Sequence, residues 1–405
     1  MEEKFDVVIV GGGLAGLTLA SALSVGGHPT AVLEARRGVA PVKRGMSLAP
    51  NGLQVLDRLD LLSEVEGIGR KVHVVKYLKS SGEVLAAYDY SLLGCRQNYL
   101  LAFLPHELES LLRKRAEQKH VKIYEGASFD AFLRESGQVS GVRATIDGRQ
   151  LNLTAKVVVG ADGGRSVVRQ AAGIQANSEQ YTSSYLVTVA DAVDDSQGEA
   201  KHYLARGRML GSFPLPHGKY LFYYLPTGTF ENLKTNGLER FKMDLTTLAP
   251  ELTACLETVN SWNDFSYMIP QEARVDSWVA DHVALVGDAA HSIEPSLGQG
   301  GSLALSDIDA LLQVLDICFA KSDFSATALK SYEAARRPQT ELLQRMAELT
   351  AMLMNTNNRV VQWLRDRTMR RMQGDQKSMM LALETASGMK GNISLTDKLR
   401  LAGFL

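Results

Sequence analysis

Three glycines and one acid stand where phosphate and ribose chemistry would need them. Gly11, Gly13 and Gly16 lie in GGGLAG, directly after the apolar run FDVVIV (5–10) and at the head of a helical pattern. Gly11 permits a tight turn, Gly13 lets backbone approach a pyrophosphate, and Gly16 lets helix and strand pack closely. The free N–H groups and the positive dipole end of that helix favour a diphosphate. Glu34 lies 23 residues beyond Gly11, at the end of a second apolar run, where a carboxylate accepts both ribose hydroxyls. Strand, helix, strand and terminal acid in that order make this a specific dinucleotide-binding signal. An acid at this point suits an unphosphorylated ribose, so FAD and NAD both remain open and NADP is disfavoured. Arg36 and Arg37 follow, either over an adenine or as a solvated basic turn.

Two further glycine-rich stretches carry acids. VVVGADGGRSVVRQAAGI (157–174) places Gly160, Asp162 and Gly163 after a buried run, then Ser166 and Arg169. HVALVGDAAHSIEPSLGQGGSLALSDIDAL (282–311) ends a strand at Asp288 and enters a helix through GQGG. His291 in GDAAH reads either as a catalytic residue or as a structural one, and His217 beside Pro216 as part of a turn. Tyr220, Phe222, Tyr223 and Tyr224 fall along one strand pattern; one face, with Phe222 and Tyr224, lines either an aromatic pocket or an ordinary sheet core. No Ser–His–Asp spacing, metal-ligand cluster or paired-acid motif stands out, so no metal is expected. Eight of 13 methionines fall between Met346 and Met389. With Trp363 and the arginines at 365, 367, 370 and 371 they read as an adaptable helix packed across two domains, or else as an interfacial membrane helix.

The elements that position these residues follow from period and composition. Residues 5–10, 30–33, 156–159 and 282–287 read as buried parallel strands, with helices over 14–25, 106–120 and 301–320. VKIYEG (121–126) reads as a strand after the second of these helices. Residues 180–280 alternate, as in YLVTVADAV and KYLFYYLPTG, and predict an antiparallel sheet inserted into the α/β pattern. Residues 339–372 are helical by period, and the last thirty read as loose. The expected architecture is α/β: a Rossmann-like domain over 1–75, 101–178 and 276–335, a β-sheet substrate domain over 76–100 and 179–275, and C-terminal helices over 336–405. The insert supplies the lid of a cleft.

Composition excludes other classes. With 405 residues, 45% hydrophobic, the chain is long enough for a large domain plus a smaller one. Forty-four Lys and Arg balance 45 Asp and Glu, which argues against a nucleic-acid partner. Cys95, Cys255 and Cys318 are far apart and odd in number, pointing to a reducing compartment. No apolar run reaches the roughly 20 residues of a membrane span, and the N-terminus is not a targeting signal, so a cytoplasmic protein is expected.

Together GGGLAG, GADGGRS and GDAAH…P…GQGG resemble the flavoprotein aromatic monooxygenases, the para-hydroxybenzoate hydroxylase family, and look closest to its branch of ubiquinone-biosynthesis hydroxylases. The motifs occur in the family's order over roughly residues 5–345. The resemblance implies FAD as cofactor, NAD(P)H and O2 as co-substrates, and hydroxylation of a phenol- or quinol-like molecule through a flavin C4a-hydroperoxide. It places Leu14 and Ala15 with the first glycines, Ala35 beside Glu34, Arg44 near the diphosphate, Asp162 in the motif shared by FAD and nicotinamide, and Asp288 on the ribityl chain. Gly298, Gly300, Gly301 and Ser302 would wrap the isoalloxazine, with the Pro295 carbonyl near the reacting oxygen. Ser302, where the family commonly has Asn, is expected to cap the helix. Pro105 stands where many members carry an FAD-contacting arginine. A reductase, dehydrogenase or halogenase of the same fold, or a non-catalytic FAD binder, is the alternative implied.

Overall fold

The computed structural model describes residues 2–181, 183–191, 198–401 and 403. Its centre is a six-stranded sheet in the order Val279–Ala280, Val283–Leu285, Val157–Gly160, Val7–Val10, Thr30–Glu34, Lys122–Glu125. All neighbours are parallel except the first pair. Val7–Val10, Thr30–Glu34 and Val157–Gly160 are buried at every position, which is why they read as continuous apolar runs. Helix Leu14–Val25 packs against helices Pro105–Gln118 and Gly300–Lys321 over this sheet.

A seven-stranded sheet stands beside it, ordered Ser266–Met268, Ser183–Ala190, Lys219–Pro226, Arg208–Pro214, Glu199–Ala205, Val74–Lys79, Val84–Asp89. It is antiparallel apart from the parallel pairing of Glu199–Ala205 with Val74–Lys79, so the expected antiparallel sheet is mixed. The expected run 185–193 ends as a strand at Ala190, and residues 192 and 193 lie outside the described residues. One face is covered by helix Leu238–Leu248, with Phe241 and Leu245 against Leu210 and Leu221. The other face carries Tyr185, Val187, Leu204 and Met209, roofed by Met354 and Met369.

Two expectations are corrected. The C-terminal helical period is two helices, Ala326–Met354 and Arg359–Gly374, and not one run over 339–372. Asn358 caps the second, accepting from the N–H groups of Val360 and Val361. Among the described residues of the last thirty, Gln376–Ala386 and Leu395–Leu401 are helical and not loose. Met379 and Leu383 are buried in the same cluster as Val75 and Ala200, so tertiary contact holds a helix too short to persist alone. No helix among the described residues is long and apolar enough to cross a membrane. Residues 127–154 form an unexpected four-stranded sheet with Glu2–Lys4, entered through two register shifts.

Candidate functional site

The first glycine loop folds as its spacing requires. Gly11 has φ +111°, and a Cβ there would lie 2.3 Å from the Ala161 carbonyl oxygen. A Cβ on Gly16 would lie 1.9 Å from the Gly11 carbonyl oxygen. Gly13 differs: nothing lies within 4 Å of a Cβ built on it. Gly13 also stands as N-cap of Leu14–Val25, with no side chain satisfying the helix N-terminus. Open backbone at an uncapped positive end is a cradle for an anion.

Glu34 is buried. One carboxylate oxygen accepts from the Gly12 N–H at 2.7 Å, and the other from the backbone N–H and Nε of Arg36 at 2.9 and 3.0 Å. Burial pushes its pKa up, but the bonds from Arg36 and Gly12 outweigh burial and hold it below the usual carboxylate range. Glu34 is therefore an ionised acceptor at the strand end. Ala35 lies exposed beside it.

The third motif closes on the first. A Cβ on Gly287 would sit 3.2 Å from the Ala304 Cβ and 3.8 Å from the Ala15 Cβ, and one on Gly301 would sit 3.2 Å from Leu14. Two helix N-termini, at Leu14 and Gly300, thus face a common space. Pro295–Leu297 forms a single 3₁₀ turn ended by Gly298 at φ +63°, with Pro295 through Gly298 partly accessible. Asp288 keeps accessible surface, yet burial dominates its environment and raises its pKa, opposed by His291 and Arg44. Among the described residues neither Asp288 nor Arg44 has a hydrogen-bond or ion-pair partner.

The residues around these loops are spent on structure. His291 Nε2 meets Asp307 at 2.6 Å, and Asp307 also accepts from Gly287 N–H at 3.0 Å and from Arg336 Nε at 3.1 Å. Burial raises the Asp307 pKa, but His291 and Arg336 outweigh it and keep it low. Ser302 does not cap its helix: its hydroxyl, fully buried, accepts from the Ala49 N–H at 2.9 Å. Its side chain is a strut between segments, with no surface to offer a ligand. Asp162 accepts from the N–H groups of Val167 and Val168 at 2.7 and 3.1 Å, and its second oxygen is buried without a partner. Arg169 ties this loop to the GDAAH turn, donating to the Ala289 and Gly164 carbonyls at 2.9 and 2.8 Å. Pro105 opens helix Pro105–Gln118 at its first turn, where the missing N–H is harmless.

The aromatic strand divides as alternation requires. Tyr223 packs on Phe241, with ring centroids 5.2 Å apart, on the helix-covered face. Tyr220, Phe222 and Tyr224 lie on the face roofed by Met354 and Met369, and all three keep some accessible surface. Gly45 lets the loop carrying Arg44 approach this face, since a Cβ there would lie 2.5 Å from the Tyr220 ring. The Arg44 charge opposes the burial that raises the pKa of both Tyr220 and Asp288. Sequence reasoning missed Glu294, which is buried beside Pro295, accepts from the Tyr185 hydroxyl and the Ser296 N–H, and has its pKa raised by burial. Its position before the proline was the available signal. His202, a lone histidine in an alternating strand for which no signal existed, is buried with neither ring nitrogen hydrogen-bonded, and burial lowers its pKa to about 4.

Among the described residues no group of three His, Cys, Asp or Glu side chains is placed to hold a metal. A family model described as FAD binding domain matches residues 4–347. The chain is 30% identical over 360 residues to 6-methylpretetramide 4-monooxygenase of Streptomyces rimosus, covering 88% of this chain and 85% of that protein. It is 31% identical over 370 residues to kynurenine 3-monooxygenase of Salinispora tropica, covering 83% of this chain and 77% of that one. The crystal structure of Pseudomonas aeruginosa PqsL in complex with 2-aminobenzoylacetate superposes with a TM-score of 0.78 at 26% identity, covering 89% of this chain and 99% of that chain.

Proposed function

This chain belongs to the FAD-binding-domain family and is an FAD-dependent monooxygenase; on that premise we propose that it uses NAD(P)H and O2 to hydroxylate a phenol- or quinol-like aromatic molecule. The observation that carries the reading is the close approach of the loop carrying Arg44 to the aromatic face, where a Cβ on Gly45 would lie 2.5 Å from the Tyr220 ring. A cofactor held by the glycine loops then meets a substrate lying on the aromatic face.

The residues fit FAD. The uncapped helix beginning at Leu14, with open backbone at Gly13, receives the diphosphate, and Glu34 accepts the adenosine ribose hydroxyls. Asp288, unpartnered in the cleft, accepts from the ribityl hydroxyls. Arg44 supplies the free cation beside the diphosphate that Pro105 does not. Gly298, Gly300 and Gly301 bring backbone and a helix N-terminus to the ring end, where they stabilise negative charge. Bound FAD supplies the redox chemistry, accepting hydride equivalents from NAD(P)H and delivering one oxygen atom of O2. The protein holds the partners in register, and Met354 and Met369 packed over the aromatic face favour exclusion of water there. The division into three FAD-binding segments and two substrate-domain segments belongs to the same proposal.

The test is the absorption spectrum of the purified protein, recorded anaerobically with NADH and then with NADPH. A flavin spectrum that bleaches with either nicotinamide and recovers in air, faster with a phenol present, is expected. Flavin that no nicotinamide reduces would sink the NAD(P)H assignment.

A further inference from the structure

The two helices that roof the aromatic face turn a second face outward. In Arg359–Gly374 the buried residues Arg365, Met369 and Met372 lie on one side. At about 100° per residue, Val360, Trp363, Leu364, Arg367 and Arg371 fall on the opposite side, and all five are exposed. In Ala326–Met354, Arg345, Leu349 and Met352 form an exposed stripe opposite the buried Met354. Met354 and Met369 pack into one cluster, so both stripes turn away from it, toward the outside of the molecule.

This outer surface is costly to leave in water. Val360 is 65% exposed, Met352 60% and Trp363 56%. Five of the fourteen large apolar side chains that stand exposed among the described residues fall between Leu349 and Leu364. The other two tryptophans, Trp262 and Trp278, are half-buried and buried. Single exposed apolar residues are ordinary, but a run of them across two successive helices calls for a cover.

Charge selects the cover. Residues 349–374 hold five arginines against one acid, Asp366, a net +4 in a chain of net charge -1. Asp366 is itself bound by Arg365 at 2.7 Å. Arg370 is held by Glu83 and Arg345 by Glu341. Arg359 and Arg367 are exposed and meet no carboxylate among the described residues, and Arg367 stacks on the Trp363 ring at 5.4 Å. A second copy docked here about a two-fold axis would set like charges against each other. An anionic bilayer fits instead. Its headgroups take the arginines, the apolar side chains enter the boundary beneath, and tryptophan suits that depth because its ring is apolar and its N–H is not.

We propose that this surface is a membrane-docking face, which lays the outer side of Arg359–Gly374 on an anionic lipid surface while Met369 keeps its place over the aromatic face. Docking of this kind is independent of the chemistry proposed for that face. The FAD-loaded full chain would be mixed with vesicles of phosphatidylcholine, or of phosphatidylcholine and phosphatidylglycerol in equal parts, and the bound fraction measured by flotation. Binding to the mixed vesicles is expected to be at least about tenfold tighter and to weaken with added salt. Arg359→Glu with Arg367→Glu should weaken it at least about tenfold, and Trp363→Ser about three- to tenfold, with FAD content and melting temperature nearly unchanged. Met243→Ser, at an exposed methionine of the distant helix Leu238–Leu248, should leave binding as it was.

Binding to neither vesicle, equal binding to both, or binding that the arginine and tryptophan substitutions leave untouched overturns the proposal. So does a lipid-free dimer, seen by sedimentation, that Trp363→Ser dissociates. Should Trp363→Ser fail to fold, the lipid preference and the arginine pair decide.

Discussion

The two walls of the cleft are built on opposite principles. The glycine wall is backbone: Gly11, Gly13 and Gly16 set its shape, and the polar side chains of Ser302 and Asp307 behind it are consumed by hydrogen bonds. The aromatic wall is side chain: rings from five strands spanning residues 77–224 meet only through sheet register, and His202 is left unmet. The first wall recognises a cofactor shared by many chains. On the proposed reading the second meets the substrate. Damage to the first should therefore cost cofactor and stability, and damage to the second should cost selectivity.

The sharpest way to break this contrast is Gly16→Val. Its side chain would begin 1.9 Å from the Gly11 carbonyl oxygen, so the turn cannot form. Loss of about 3–5 kcal/mol and of bound flavin is expected, read by thermal melting and by flavin content. Gly13→Ala is the control within the same wall: with nothing within 4 Å it should leave apoprotein stability nearly unchanged while FAD binding falls.

Asp307→Asn comes next. It leaves Arg336 and His291 buried without their shared carboxylate, an expected cost of about 3–5 kcal/mol by denaturant unfolding, with substrate ranking preserved. His202 carries a pH signature of comparable size. In the fold it stays neutral down to about pH 4, whereas in the unfolded chain it takes up a proton near 6.5. The unfolded state thus binds more protons between those values, and stability falls as pH drops through them, by about 3 kcal/mol at most. His202→Gln should flatten that part of the stability curve; unchanged slope would mean His202 is protonated in the fold. Tyr88, packed edge-on against Tyr77 with its pKa pushed up to about 12 by burial, does not titrate in that window. The smallest effect belongs to Gly211→Ala, which must displace the Phe222 ring from 2.0 Å. A cost of about 1–3 kcal/mol and altered aromatic binding are expected, with FAD content intact, by melting and spectral titration.

What could be read from the chain follows the same division. Val7–Val10, Val157–Gly160 and the glycine turns are legible because each depends on contiguous residues and on backbone conformations only glycine adopts readily. The helix Gln376–Ala386 was not legible, because its reason to exist is Met379 and Leu383 packing beside Val75 and Ala200, about 180–300 positions earlier. The sheet over 127–154 was obscured by shifts at Phe129/Ala131 and Leu133/Arg134, which break a period-two pattern. Ser302 at a helix start suggested a cap, but its partner, Ala49, is 253 residues away. His202 is the extreme case: its meaning lies in Tyr77 and Phe222, which only strand register brings beside it.

The claim that the two walls form one hydroxylating chamber is tested most directly by isotope. The FAD-loaded enzyme would be turned over with NAD(P)H and a neutral phenol under oxygen-18 gas, and the product weighed by mass spectrometry. One labelled oxygen atom in the ring product, with one nicotinamide oxidised per product, is the predicted result. Nicotinamide oxidation that yields only hydrogen peroxide, with the phenol unlabelled and unchanged across a panel of neutral phenols, would contradict it.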